Sequence, residues 1–255
     1  MAVRAQLTSE DRAAGGQHKI DGSLSFRGVQ SNGSTDGSDL RRTPSTGGNR
    51  KVGTFSCWFK RSNLSFDQQI FYAGSDANNT AHIRFDSDDT ITCFDYSNTF
   101  TVNPSAKFRD HGWHHLVVAI DTTQASSSNR VKMYYDGVLQ TVFDTETYPA
   151  QNLELWFNST NEHSIGRNNV NGNNYLCGSL TTVYWIDGQQ LAASEFGFTD
   201  ELTGKWRPKK FESWPTYVAS TELLYGVNTG DNGFDSSSTS RSYDATGHSY
   251  APYST

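Results

Sequence analysis

In GTFSCWFKR, residues 53–61, Phe55, Cys57 and Phe59 alternate with Ser56, Trp58 and Lys60. A period of two is the pattern of a strand buried on one face. HIRF (82–85) and TITCF (90–94) repeat the rhythm on either side of a turn at Ser87, Asp88 and Asp89. WHHLVVAID (113–121) places Leu116, Val118 and Ile120 on one face and His115, Val117 and Ala119 on the other. In RVKMYYDGVLQTVF (130–143), Val131, Met133 and Tyr135 share a face, and Asp136-Gly137 is the positive-φ dipeptide of a two-residue hairpin. LELWF (153–157), HSIG (163–166) and LTTVYWIDG (180–188) continue the alternation. About a dozen short strands, with turns every ~8–12 residues, predict a two-sheet antiparallel sandwich or a barrel. The expected core holds Phe55, Cys57, Phe59, Ile83, Phe85, Leu116, Val118, Ile120, Val131, Met133 and Trp185. Trp113 is expected to close one end of it, with Tyr135 in the core or at its edge, and Gly166 and Gly178 serve the backbone where strands meet turns. No helical face longer than one or two turns and no internal repeat is visible.

The pattern divides the chain into three. Residues 1–18 read as a polar N-terminal arm with a short helical turn over 9–14, and residues 19–198 as the sandwich. Residues 199–255 are a C-terminal extension rich in Ser, Tyr and Gly, expected to be an assembly contact. Composition sharpens this. The chain of 255 residues is only 35% hydrophobic, but its 13% aromatic content and net charge of −6 are those of a folded β protein rather than a disordered one. No apolar run approaches the ~20 residues of a membrane helix, so no membrane insertion is expected. The N-terminal residues lack a secretory pattern, so folding is expected in the compartment of synthesis. A pI near 5.6 speaks against nucleic acid as a partner. Cys57, Cys93 and Cys177 are odd in number and widely spaced, and are expected as buried free thiols.

Several blocks resemble a known family. GTFSCWFK (53–60), GWHHLVVAID (112–121), RVKMYYDG (130–137), HSIG (163–166) and GSLTTVYWIDG (178–188) resemble the laminin-G-like jelly roll of the concanavalin A-like lectin/glucanase superfamily. RTPSTGGNRK (42–51), SDANNTAHIRFDSDDT (75–90) and FGFTDELTGKWRPKKF (196–211) are similar to a subgroup in tailed bacteriophages whose chains are virion proteins. The resemblance implies an all-β, concanavalin A-like jelly roll. It also implies a virion structural protein, tail-fibre-like or head-decorating, assembled in the host bacterial cytoplasm with other capsid or tail proteins. The expected form is a homo-oligomer, most simply a trimer, that displays its loops towards host surface glycans. The alternatives are a glucanase-type enzyme and a cement protein that binds no glycan.

Candidate chemistry is sparse. Glucanases of this superfamily carry Glu-x-Asp-x-x-Glu on one strand, and no glutamates here have that spacing, so no enzyme is expected. His114 and His115 point to opposite strand faces and cannot share a metal; one is expected partly buried and the other solvated. No cofactor is required, but Asp76, Asn78, Asp86 and Asp88 lie in two oxygen-rich loops that together could wrap calcium, or simply form turns. Asn168, Asn169, Asn171, Asn173 and Asn174 make an amide-rich loop able to hydrogen-bond sugar hydroxyls in both directions. On a LELWF strand, Trp156 would face away from Leu155 and Phe157 as a sugar platform, or lie covered by the extension or by a neighbouring subunit.

Overall fold

The computed structural model describes residues 22–28, 37–96, 100–211, 244–246 and 249–252. The expected arm at 1–18 and its helical turn lie outside them. One sheet has seven strands in the order β10 (Val138–Leu139), β9 (Val131–Tyr135), β8 (His114–Asp121), β3 (Val52–Arg61), β13 (Gly178–Asp187), β1 (Gly22–Phe26) and β17 (Ser249–Pro252). The other has eight, ordered β11 (Phe143–Thr147), β7 (Phe100–Pro104), β6 (Ile91–Asp95), β5 (Asn79–Phe85), β4 (Gln68–Asp76), β12 (Glu162–Ile165), β2 (Asp39–Arg42) and β16 (Asp244–Thr246). Every pairing in both is antiparallel. A hairpin of β14 (Gly197–Thr199) and β15 (Trp206–Pro208) stands apart. The expected boundary at 198 therefore falls inside a hairpin. Among the described residues, helix is confined to 3₁₀ turns at Ser127–Asn129 and Ala193–Glu195, and no helix is long and apolar enough to cross a membrane.

The inner faces interdigitate as the alternation requires. All the expected core residues are in the main cluster, none more than 2% exposed. Phe55 of the seven-stranded sheet stacks on Phe71 of the eight-stranded sheet at 5.0 Å, and Phe71 stacks on Phe157 at 5.2 Å. Phe59 meets Phe85 edge-on at 5.1 Å, and the Tyr135 hydroxyl donates to the Ile91 carbonyl at 3.2 Å. Leu180 and Trp185, five apart, have opposite parity and cannot both face inward on a regular strand. A bulge between Thr181 and Tyr184, with Thr182 at φ +46°, inserts the shift that lets both reach the core. Cys57 and Cys93 are buried free thiols, and Cys177 is free but only half-buried. Trp113 is half-buried and not part of the core cluster, in which Phe108 and Tyr135 meet at 4.9 Å.

The outer face of the seven-stranded sheet is not left to solvent. Val117, Ala119 and Ile186 are covered by Ala193, Phe196 and Phe211, with Phe196 stacked on Phe211 at 4.9 Å. The Trp206 indole N–H donates to His115 Nδ1 at 3.0 Å, so His115 Nε2 carries the proton and bonds Ser56 Oγ at 2.9 Å. His115 also stacks on Trp58 at 4.9 Å. This corrects the expectation that one of the two histidines is solvated: the 196–211 segment buries His115. His114 is 21% exposed and lies between Asp136 at 2.7 Å and Asp110 at 3.0 Å. LELWF is not a strand; it lies in the β11–β12 connection, although Leu155 and Phe157 are buried and Glu154 is exposed as expected.

Two outcomes follow. Ile120→Ala should lower unfolding free energy in urea by about 2–5 kcal/mol, through lost burial and a residual cavity. At Gly137, φ is +83° and an added Cβ would meet the Trp206 ring at 2.4 Å. Gly137→Ala should cost about 1–3 kcal/mol and change Trp fluorescence, because it strains the turn and displaces the indole that covers His115.

Candidate functional site

On the outer face of the eight-stranded sheet the side chains largely bury one another, and Arg84 and Tyr96 reach solvent. Opposite the inward Ala81, Ile83 and Phe85, β5 projects Thr80, His82 and Arg84 outward; opposite Ile91 and Cys93, β6 projects Thr92 and Phe94. These side chains form an aromatic ladder across the strands. Tyr72 meets His82 edge-on at 5.0 Å, His82 stacks flat on Phe94 at 4.2 Å, and Phe94 touches Tyr96 at 5.8 Å. Arg84 lies over Phe94 at 4.8 Å. The ladder ends on Tyr96, which is 60% exposed.

A roof stands beside this ladder. After β12 the chain turns at Gly166, at φ +88°, and folds back along β4. Gly166 N–H donates to the Ile70 carbonyl at 3.1 Å, and Gln69 N–H donates to the Asn174 carbonyl at 2.7 Å. Within the roof, Asn168 N–H donates to the Asn173 carbonyl at 3.0 Å, and the buried Asn168 side chain accepts the Asn171 N–H at 3.4 Å. Asn174 takes the left-handed backbone at φ +54° that amide residues tolerate. Between roof and ladder runs a groove of about 300 Å³. Ala77 and Asn78 of the β4–β5 turn, Thr80, His82 and Arg84 of β5, Tyr96, and Asn168, Val170, Asn171 and Asn174 of the roof line it.

Its floor is polar but internally satisfied. His82 Nδ1 bonds Gln69 Oε1 at 3.0 Å, and its Nε2 bonds Thr80 Oγ1 at 2.8 Å. Burial, with Arg84 nearby, pushes the His82 pKa down to about 3, so the ring is neutral. Arg84 Nε pairs with Asp86 at 2.6 Å and Nη1 with Asp67 at 3.4 Å. Asp86 also accepts the Thr92 hydroxyl.

The structure brings Asn168, Asn171 and Asn174 into the groove. Asn173 is exposed and holds the roof together through its backbone, and Asn169 is half-buried outside the lining. Trp156 is not in the groove: the Arg50 guanidinium sits 5.5 Å over its half-buried ring, which packs against the main core. The two expected calcium loops do not meet. Asp76 and Asn78 close the β4–β5 turn, whereas Asp86 and Asp88 close the β5–β6 turn, at the other end of a strand spanning about 20 Å. Their oxygens already have partners. Asp76 accepts from Asn78 N–H, Asn79 N–H and the Asn79 amide, and Asp88 accepts from Thr90 and from Lys107 at 3.1 Å. A shared ion does not fit this arrangement. Asn78 instead serves the groove. Thr80, His82, Arg84 and Tyr96 escaped the sequence reading, although the alternation that put Ile83 and Cys93 inside had already placed their neighbours outside.

With this geometry in place, the chain can be set beside known proteins. The family model of the concanavalin A-like lectin/glucanases superfamily matches residues 32–195. The fold is similar to the native heptameric SAP-like pentraxin of Limulus polyphemus, with a TM-score of 0.52 and 15% identity, covering 91% of this chain and 95% of that one. It is also similar to a putative carbohydrate binding protein from Bacteroides ovatus, with a TM-score of 0.53 and 10% identity, covering 92% of this chain and 60% of that one. No curated protein matches the chain in sequence.

The buried histidines set the response to acid. Burial holds His82 and His115 at about 3 and His163 at about 4, against 6.5 for a free imidazole. Across that interval the unfolded chain binds more protons than the folded one, so stability falls as pH is lowered from 6.5 towards 4. His114 has the opposite sign. Its bond to Asp136 raises its pKa against the effect of burial, so its contribution is full below 6.5 and is lost as pH rises through the raised value. Urea titrations across this range should show the acid loss, and His82→Gln should reduce the slope by about one proton.

Proposed function

The chain belongs to the concanavalin A-like lectin/glucanases superfamily, and from that membership we propose a non-catalytic glycan-binding module whose sugar lies in the groove over β5. The observation that carries this is Tyr96, an aromatic residue 60% exposed in the lining of a groove that also includes four asparagines. An aromatic face takes the apolar C–H face of a sugar ring, and amides satisfy its hydroxyls as donors or acceptors. A binding role is also favoured by the lining itself, in which none of the described side chains is a carboxylate. The outward positions of β3 and β8 beneath the hairpin, Thr54, Ser56, Trp58, His115, Val117 and Ala119, likewise include no acid pair.

The module is further proposed to be a subunit of a tailed-phage particle, assembled in the bacterial cytoplasm and anchored to capsid or tail proteins. Support comes from the RTPSTGGNRK, SDANNT and WRPKKF blocks. The exposed apolar side chains Val138, Val142 and Leu202, at 64%, 70% and 82%, offer surface for subunit contacts. Single sugar contacts are weak, so a homo-oligomer such as a trimer would supply avidity.

Tyr96→Ala, on an exposed side chain, should leave the melting temperature within a degree or so while lowering glycan affinity roughly tenfold or more, about 1.4 kcal/mol. Calorimetry on a glycan identified by array screening, together with particle adsorption to host cells, measures both. Wild-type affinity in Tyr96→Ala would refute the groove as the binding site.

A further inference from the structure

We infer that the groove selects an uncharged, hydroxyl-bearing sugar and rejects carboxylated sugars; this rests on the glycan-binding reading above and refines it. Two lining side chains could carry positive charge, Arg84 and His82. Arg84 is already answered by two carboxylates, Asp86 at 2.6 Å and Asp67 at 3.4 Å. Asp76, outside the lining, adds a negative charge to the turn that carries Asn78. Arg167, at the start of the roof, is outside the lining and engaged elsewhere, with Nη1 3.7 Å from Asp39 and its guanidinium 5.4 Å over Tyr175. A sugar carboxylate would lose its hydration in surroundings of its own sign, without an uncompensated cation among the described lining residues to offset the loss.

The hydrogen-bond chain beneath the floor adds a second preference, for a donor at one point of the groove. Gln69 Nε2 donates to the Phe71 carbonyl at 2.6 Å and the Ile83 carbonyl at 3.0 Å, which fixes the orientation of the amide. Its Oε1 must then accept from His82 Nδ1–H, so Nε2 of the neutral ring is an acceptor and takes the Thr80 hydroxyl proton. Having given its proton inward, the oxygen of Thr80, a lining residue only 2% exposed, has only lone pairs left for a ligand atom that reaches it. A ligand atom bound there must donate, as a sugar hydroxyl does and an ionised carboxylate does not. Thr80 is thus a specificity-determining acceptor, and Gln69 and His82 are positioning residues that set its polarity.

The test is a panel of neutral hexose and pentose oligosaccharides with matched sialylated and uronic members, titrated against the full chain at low and high salt. Neutral members should bind roughly tenfold or more tightly than their acidic counterparts, with little change in salt. Thr80→Val, nearly the same shape, should weaken neutral binding by about five- to tenfold when titrated well below its melting temperature, which should itself fall because the buried His82 Nε2 loses its donor, and Thr80→Ser should restore both. Tighter binding of acidic members, lost in Arg84→Gln, would overturn the charge selectivity while leaving the groove as a glycan site. Unchanged affinity in Thr80→Val would overturn the role of its oxygen. A wild-type chain that binds no member of either class would overturn the glycan reading, and this inference with it.

Discussion

The face-to-face stack of Phe55, Phe71 and Phe157 joins the two sheets, and the rest of the architecture depends on keeping it intact. Phe55 comes from the middle of β3, Phe71 from β4, and Phe157 from an irregular connection, so three distant parts of the chain must arrive in one register. A one-residue slip of β3 would turn Phe55 outward and put Thr54 or Ser56 in its place. The bulge in β13 belongs to the same constraint, because without it Leu180 and Trp185 could not both reach this core.

Once the inner faces are committed, each sheet has an outer face to settle, and the two are settled differently. On the seven-stranded sheet the outward Val117, Ala119 and Ile186 are apolar, and the hairpin that follows the sandwich seals them. The seal has a polar centre. His115 is buried as a neutral ring, made tolerable by Trp206 on one nitrogen and Ser56 on the other. On the eight-stranded sheet the outward residues are Thr, His, Arg and aromatic rings, which satisfy one another along the strands and leave the face partly open to solvent.

That face is preorganised. The amide of Gln69 is held by two carbonyls, the His82 ring by Gln69, Thr80 and Phe94, and Arg84 by two carboxylates and the Phe94 ring. Little side-chain freedom remains to be lost when a ligand arrives, which favours affinity in a shallow polar groove. The buried pair at the other end of β5 helps to hold the strand in place. Arg61 and Asp89 meet at 3.0 Å, and Asp89 also binds the Ser65 N–H and Arg109, tying the β5–β6 turn to the end of β3.

The sequence by itself determined the all-β class, most strand positions, the Asp136-Gly137 turn and the inner faces, because period-two alternation is a local property of consecutive side chains. It determined the amide character of the 168–174 loop but not where that loop lies. Tertiary structure decided everything that needs two distant segments to meet. It separated Asp76 from Asp86 by the length of β5, left Trp156 packed on the core under Arg50, and folded the 166–177 connection back over β4 beside Tyr96. It also buried His115, since nothing near residue 115 shows that residues 196–211 return to cover it. Alternation tells which side of a strand a residue faces; only the packed chain decides what lies on that side.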